Sequence, residues 1–257
     1  MKLNRRDLVR IFFRSFMIQG LWTVQRAQNL GYIYSLWPVF RRLHPRREER
    51  ARAARAHAGF FSTHPYTAGV LLGVVAGLEE DRSEGFGPEG HGTVGHVPSV
   101  ENILAARSAM SGPLAALGET FFWGTWLPFS LGATLVLGMI GPSWTLGSPI
   151  LFLVLFNAPH LAARAMGLWW GYRWKSQVVS QLAPLRIQSL LPLLAVFGMA
   201  LVLIRVGGEP LKGMTGPSTF LWVGFFWGVL RLGVRPSFIA LGVVGVSVAY
   251  SFLKGLL

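Results

Sequence analysis

Histidine and carboxylate are the side chains here with acid–base chemistry to offer near neutral pH, because the 257 residues include no cysteine. Disulfides, thiolate catalysis and cysteine-ligated zinc are thereby excluded. His64 sits between Thr63 and Pro65 and directly follows Ser62, while Glu119 opens the longest uncharged stretch of the chain. His64 suits either a hydrogen bond to a ligand or a cap on the backbone before Pro65, since Thr-His-Pro opens helices well. Glu119 reads as a functional group at the edge of an apolar segment, or as an acid complementing a helix N-terminus. Glu79 and Glu80 are expected to close a helix, where the dipole disfavours acids. They therefore call for a partner such as an arginine, or for water. Covalent or two-carboxylate catalysis has no support: there are 11 acids in all, and no Ser/His/Asp set is clustered in sequence.

Two further patterns carry no chemistry. Gly85-Phe86-Gly87-Pro88-Glu89-Gly90 has the spacing of a dinucleotide fingerprint, but no strand precedes it and no helix opens at it. His91 and His96 lie in the same Gly- and Pro-rich loop without a third ligand, so no metal is expected. No cofactor is implied either.

The elements that must position these residues are unlike those of a water-soluble domain. Hydrophobic residues make up 52% of the chain and charged ones 14%, against about 25% charged in ordinary soluble domains. From Thr120 to Leu257 the only acid is Glu209, whereas the first 55 residues hold twelve arginines. A net charge of +13 in this arrangement points to anionic headgroups on the cytoplasmic side rather than to nucleic acid. Thr120–Ala163 carries no charge for 44 residues, about 66 Å of helix and enough for two crossings of a roughly 30 Å core. Its turn is expected around Gly138, Gly141, Pro142 and Gly147. Ile187–Ile204, Met214–Leu230 and Pro236–Leu253 give three more candidate spans. Trp169, Trp170, Tyr172 and Trp174 suit an interfacial belt, and Arg164 suits snorkelling to the surface.

The preceding part differs. Leu8, Ile11, Phe12, Phe13 and Phe16 recur at helical spacing among Arg5, Arg6, Arg10 and Arg14, the pattern of an arm lying in the headgroup plane or packed on a partner subunit. Tyr66–Leu78 is an uncharged run of thirteen residues, short of the ~20 a spanning helix needs. A re-entrant or broken helix fits it. The predicted architecture is an all-α, polytopic membrane protein with an amphipathic N-terminal arm. Its divisions are 1–55 (basic interfacial arm), 56–118 (broken helix and loop) and 119–257 (transmembrane helices). With no cleavable signal in view, the amino terminus is expected to remain cytoplasmic, and five crossings would place the C-terminus outside.

Three segments in order carry a family resemblance. They are Gln28-Asn29-Leu30-Gly31-Tyr32 with Pro38 and Arg41-Arg42-Leu43-His44-Pro45; Phe60-Phe61-Ser62-Thr63-His64-Pro65 with Glu79-Glu80; and Gly112-Pro113-Leu114 through Gly118-Glu119 with Trp123. Together with Gly171-Tyr172-Arg173 they resemble the IID subunit of the mannose/fructose/sorbose family of bacterial sugar phosphotransferase permeases. The chain departs from that pattern at Thr23 and Ser62 (Asn in the family), Ala27 (Met), Glu119 (Asp) and Lys175 (Gly).

The resemblance implies a multi-pass protein of the bacterial cytoplasmic membrane that is not catalytic alone. It implies a hetero-oligomer with a IIC membrane subunit, served by the IIA and IIB phosphocarriers, that carries in a hexose such as mannose, glucose or fructose for IIB to phosphorylate. A hexose is neutral and rich in hydroxyls, so its site needs convergent donors and acceptors beside an apolar face. Ser62, Thr63, His64, Gln28 and Glu119 would supply the polar groups, and Trp123, with Phe60 and Phe61, the face. The exchanged Asn and Asp positions motivate the alternative of a non-transporting regulatory or interaction protein of the same descent.

Overall fold

A computed structural model describes residues 3–85, 97–138 and 147–182. Every regular element among them is helical: α1 (Arg5–Arg14), α2 (Asn29–Leu43), α3 (Arg47–Ala56), α4 (Ala68–Gly85), α5 (Val100–Gly118), α6 (Leu127–Gly138), α7 (Gly147–Trp174) and α8 (Val178–Leu182). A 3-10 turn at Ser15–Ile18 follows α1, and a π-helical stretch at Glu119–Trp126 links α5 to α6. The expected spans beyond residue 186, the turn around 139–146, and His91 and His96 lie outside the described residues.

The described residues fall into two compact units. One comprises those up to Glu119 together with those from Pro159 on; the other comprises 120–158. In the second unit the Trp126 indole N–H donates to the Leu155 carbonyl (3.0 Å), and Phe152 stacks on Phe156. Among the described residues Gly147–Gln177 is the one helix long and apolar enough to cross a membrane, and only 17% of its apolar window is buried within the chain.

In the first unit local chemistry starts α1 and α5 and suits the ends of α3. Asn4 and Asp7 form a reciprocal capping box on α1, each side chain accepting from the other's backbone N–H (3.0 and 3.1 Å). Asp7 also faces Arg42 of α2 at 3.4 Å. Ser99 caps α5, and α3 carries Glu48 and Glu49 in its first turn and Arg55 in its last, matching the helix dipole.

The core is built around α4. Its residues Ala68–Gly77 are all buried, so the apolar run that is too short to span is enclosed by protein. Gly69, Gly73 and Gly77 lie one helical turn apart and meet Gly167, Leu168, Gly171 and Tyr172 of α7 at close range. A Cβ on Gly69 or Gly73 would overlap the Arg164 or Leu168 carbonyl, and one on Gly171 the Val70 carbonyl. Small residues at this spacing let two helix backbones touch.

α4 does not stop at its acids, as the sequence suggested, but runs through them to Gly85. Glu79, Glu80 and Asp81 each tie down a different element. Glu79 accepts from the His57 ring at 2.9 Å and from Arg82 at 2.8 and 3.2 Å. Glu80 accepts the Leu3 N–H (2.7 Å) and the Tyr172 O–H (2.5 Å). Lys175 Nζ donates to both oxygens of Asp81 (2.5 and 2.6 Å). Burial pushes the Glu79 carboxyl up, but the hydrogen bonds and charges of His57 and Arg82 outweigh it and hold it below the ordinary value. An ionised carboxylate only accepts, so His57 Nε2 carries hydrogen. In the neutral ring Nδ1 then accepts from the Tyr32 O–H at 3.1 Å.

Two expectations for α7 are corrected here. Tyr172 turns inward to Glu80 and is buried rather than belonging to a surface belt, although Trp169 is exposed. Arg164 does not snorkel. It is buried, donates to the Ser15 carbonyl and hydroxyl (2.5 and 3.0 Å), and lies over the Phe16 ring. The α7 helix ends at Trp174, and the next residue, Lys175, has a left-handed φ of +49°. That is the position where glycine stands in the resembled family, and glycine adopts this geometry without strain.

Candidate functional site

Between α3 and α4 the chain runs as non-helical backbone from Ala58 to Tyr66, and this segment contains Ser62-Thr63-His64. Buried backbone of this kind needs partners for its polar groups. The segment at 26–28 provides them. Gln28 N–H donates to the Phe61 carbonyl (2.9 Å), and the Gln28 carboxamide extends the pairing, donating to the Thr63 carbonyl (2.8 Å) and accepting the Thr63 N–H (3.0 Å). Asn29 and Arg26 both donate to the Ala58 carbonyl, and Arg107 donates to the carbonyls of His57 and Phe60 (3.2 Å each). From the other side the Thr63 hydroxyl donates to the Ser111 carbonyl (3.2 Å) and the Thr67 hydroxyl to that of Leu114 (3.0 Å), which fastens the segment to α5.

The sequence-derived set thus divides. Gln28 and Thr63 are buried and committed to backbone pairing, so both shape the segment. Ser62 is exposed at its crest, beside a Phe60 that is 64% exposed. His64 is buried, and its Nδ1 accepts the Tyr66 N–H at 3.3 Å, which leaves Nε2 as the hydrogen-bearing nitrogen of the neutral ring. The imidazole packs so tightly on Gly118 that a Cβ there would overlap it. Burial holds the His64 ring below the ordinary histidine value; Glu119 pulls the other way and Arg164 reinforces the lowering. Glu119 is exposed at the start of the π-helical stretch. Trp123 belongs to the other unit, where its half-exposed ring lies 6.4 Å from Phe156 at 61°.

Sequence reasoning missed His160. Its ring stacks on Tyr66 at 3.8 Å and 13°, and Tyr66 in turn meets His64 edge-on at 5.0 Å. The signal was present, since an ionisable residue inside an otherwise uncharged run marks a functional candidate. The arrangement is an aromatic and imidazole cluster of buried His64 and His160 with a half-buried Tyr66, flanked by exposed Ser62 and Glu119. It offers hydrogen-bond donors, acceptors and ring faces but no nucleophile paired with a base.

Across the chain, residues 2–207 match the family described as the PTS system mannose/fructose/sorbose family IID component. The chain belongs to that family. Among its relatives, the mannose-specific EIID component of Escherichia coli K12 is 34% identical over 201 residues, which is 77% of this chain and 66% of that protein's length. The chain therefore matches just under two thirds of that relative. The fructose permease IID component of Bacillus subtilis is 30% identical over 200 residues, 77% of this chain and 67% of that protein. The solved structure of the mannose transporter ManYZ with microcin E492 contains a chain that superposes with a TM-score of 0.59 at 29% identity, covering 96% of each chain. As a IID component the chain is an all-α membrane protein.

Proposed function

We propose that this IID component is the membrane subunit of a phosphoenolpyruvate-dependent permease. In this reading it works with a IIC subunit to translocate a hexose that a IIB protein phosphorylates. Family membership and the likeness to a chain of a mannose transporter support the class of activity. The observation that carries the site is the Phe60–Tyr66 segment, a stretch of open backbone whose polar groups are met inside the protein while Ser62 and Phe60 stay exposed. Irregular backbone of this kind is tolerated in a membrane protein where protein receives it or where it lines a path.

In this assignment Ser62, His64 and Glu119 face the sugar, while Gln28 and Thr63 are positioning residues. His64 Nε2–H is a donor for a sugar hydroxyl, and the Glu119 carboxylate is an acceptor. The neutral imidazole suits a neutral ligand, because it adds no charge that the sugar would have to offset.

The second reading, a non-transporting regulatory relative, draws on the exchange of Asn for serine at Ser62. The exchange at Thr23 gives it little support. The Thr23 hydroxyl accepts the Arg26 N–H (3.2 Å), the same turn bond a carboxamide oxygen would make.

The test is phosphoenolpyruvate-dependent phosphorylation of mannose, glucose and fructose by host membranes and cytosol, with and without the chain. Phosphorylation that disappears on deletion and returns on complementation is expected for the permease. Equal phosphorylation of every sugar with the protein present or absent would favour the non-transporting relative.

A further inference from the structure

The N-terminal arm keeps a second surface that the sugar reading does not use. From Leu8 to Arg47 the chain has seven arginines and no acid. Its large apolar side chains do not all turn inward: Val9, Phe13, Phe16, Met17, Trp22 and Val24 are exposed. In the same arm an open groove of about 460 Å3 lies between the end of α1 and α2, lined by Arg14, Leu21, Leu30, Ile33, Tyr34 and Trp37. That volume falls in the range of about 300–1,000 Å3 typical of ligand clefts.

Arg14 sets the polarity of the groove. Its guanidinium lies 4.5 Å from the Tyr34 ring centroid and donates one hydrogen bond to the Tyr34 carbonyl at 3.1 Å. A guanidinium has five N–H donors in a fork that matches phosphate. The remaining lining is aliphatic and aromatic. A groove that is cationic at one point and apolar elsewhere complements a ligand with an anionic head and a hydrocarbon tail. A protein surface would need an acid and a row of apolar side chains at the same spacing. The unbroken positive sign of the flanking sequence favours a diffuse anionic surface instead.

We propose that this groove binds an anionic phospholipid, with the phosphate on Arg14 and an acyl chain along Leu21, Leu30, Ile33 and Trp37. The assignment is independent of the sugar site, because none of these residues belongs to it.

The experiment titrates the full chain, purified in a nonionic detergent, with dioctanoyl phosphatidylglycerol, dioctanoyl phosphatidylcholine or inorganic phosphate, followed by calorimetry. One arginine near an anionic headgroup is expected to favour phosphatidylglycerol over phosphatidylcholine by about five-fold. Arg14→Gln removes that preference and Arg14→Lys keeps it. Leu30→Gln, a change at a half-exposed position that the fold tolerates, weakens both lipids while the preference stays. If Arg14→Gln fails to fold, Arg14→Lys and Leu30→Gln still decide. A preference that survives Arg14→Gln, or lipid binding indifferent to Leu30→Gln, overturns the proposal. So does displacement of phosphatidylglycerol by equimolar inorganic phosphate, which would mark a free-anion site. Absence of lipid binding, with loss of the IIC subunit from the complex in Leu30→Gln, overturns it too and makes the groove a protein interface.

Discussion

Two histidine and glutamate pairs lie in the same unit and do opposite things. His57 and Glu79 are both buried to 1% side-chain exposure and bond each other at 2.9 Å. Tyr32 occupies the other ring nitrogen and Arg82 the other carboxylate oxygen. Every polar atom of that pair is spent on the fold. His64 and Glu119 are arranged differently: the ring is buried against Gly118, whereas Glu119 is exposed and its charge pulls the ring's titration upward. The first pair is a buried lock between elements, whereas in the second the ring is buried and the carboxylate is exposed. Residue type alone does not separate them; burial of the carboxylate does.

The largest effect should come from breaking the lock. Glu79→Gln takes the counter-charge from the part-buried Arg82 and disturbs the buried His57 contact. Losing one partner of a buried ion pair costs about 3–5 kcal/mol, an upper bound for this partly exposed arginine. A thermal melt of the detergent-solubilised protein should show this as a large fall in Tm, and a Tm close to the wild type would show that the network is not load-carrying.

Gly118→Ala sharpens the contrast from the other side. Its added methyl must push the His64 ring, and overpacking of this kind costs about 1–3 kcal/mol. Sugar uptake should fall by more than the loss of folded protein accounts for. Uptake that simply tracks the amount of folded protein would merge the two regions into one structural core.

The acid response follows from the sign of the His64 shift. Its folded-state value lies below the ordinary 6.5, so the unfolded chain takes a proton that the folded chain refuses. This group costs no stability above about pH 6.5, and stability declines as pH falls from there toward the folded-state value. His64→Gln should flatten the stability profile between pH 6.5 and lower pH, read as Tm against pH. An unchanged slope would place the titration elsewhere.

Lys175→Gly should have the smallest effect. It relieves a left-handed non-glycine residue, worth about 1 kcal/mol or more, and removes a part-exposed ion pair to Asp81, worth about 0–1 kcal/mol. Chemical denaturation should move by about 1 kcal/mol or less. A large destabilisation would mean that Asp81 relies on Lys175 far more than its exposure suggests.

The same contrast explains what was legible in the sequence. The helical membrane class followed from the charge deficit, and the Ser62-Thr63-His64 segment announced itself as a polar bracket and helix opening before an apolar run too short to span. α5 was not foreseen, because Ser99, its cap, follows a loop and Pro113 sits inside it. The roles of Glu79 and Glu80 were hidden because their partners lie 22 residues away at His57, 77 away at Leu3 and 92 away at Tyr172. No periodicity encodes such pairings. Gln28 read as a ligand group since a carboxamide suits a hydroxyl, yet the backbone of Thr63 uses both ends of it. His160 was overlooked because its stacking partner, Tyr66, lies far off in the sequence in the non-helical segment before α4, and the surrounding run reads as plain span.

The most direct test of the two-region account measures Tm and phosphoenolpyruvate-dependent hexose phosphorylation together for His64→Gln and His57→Gln. The account predicts that His64→Gln keeps its Tm near the wild type and loses phosphorylation, while His57→Gln loses Tm and retains activity in proportion to the protein that stays folded. A His64→Gln variant that transports normally, or one whose lost activity is matched by an equal loss of folded protein, would contradict it.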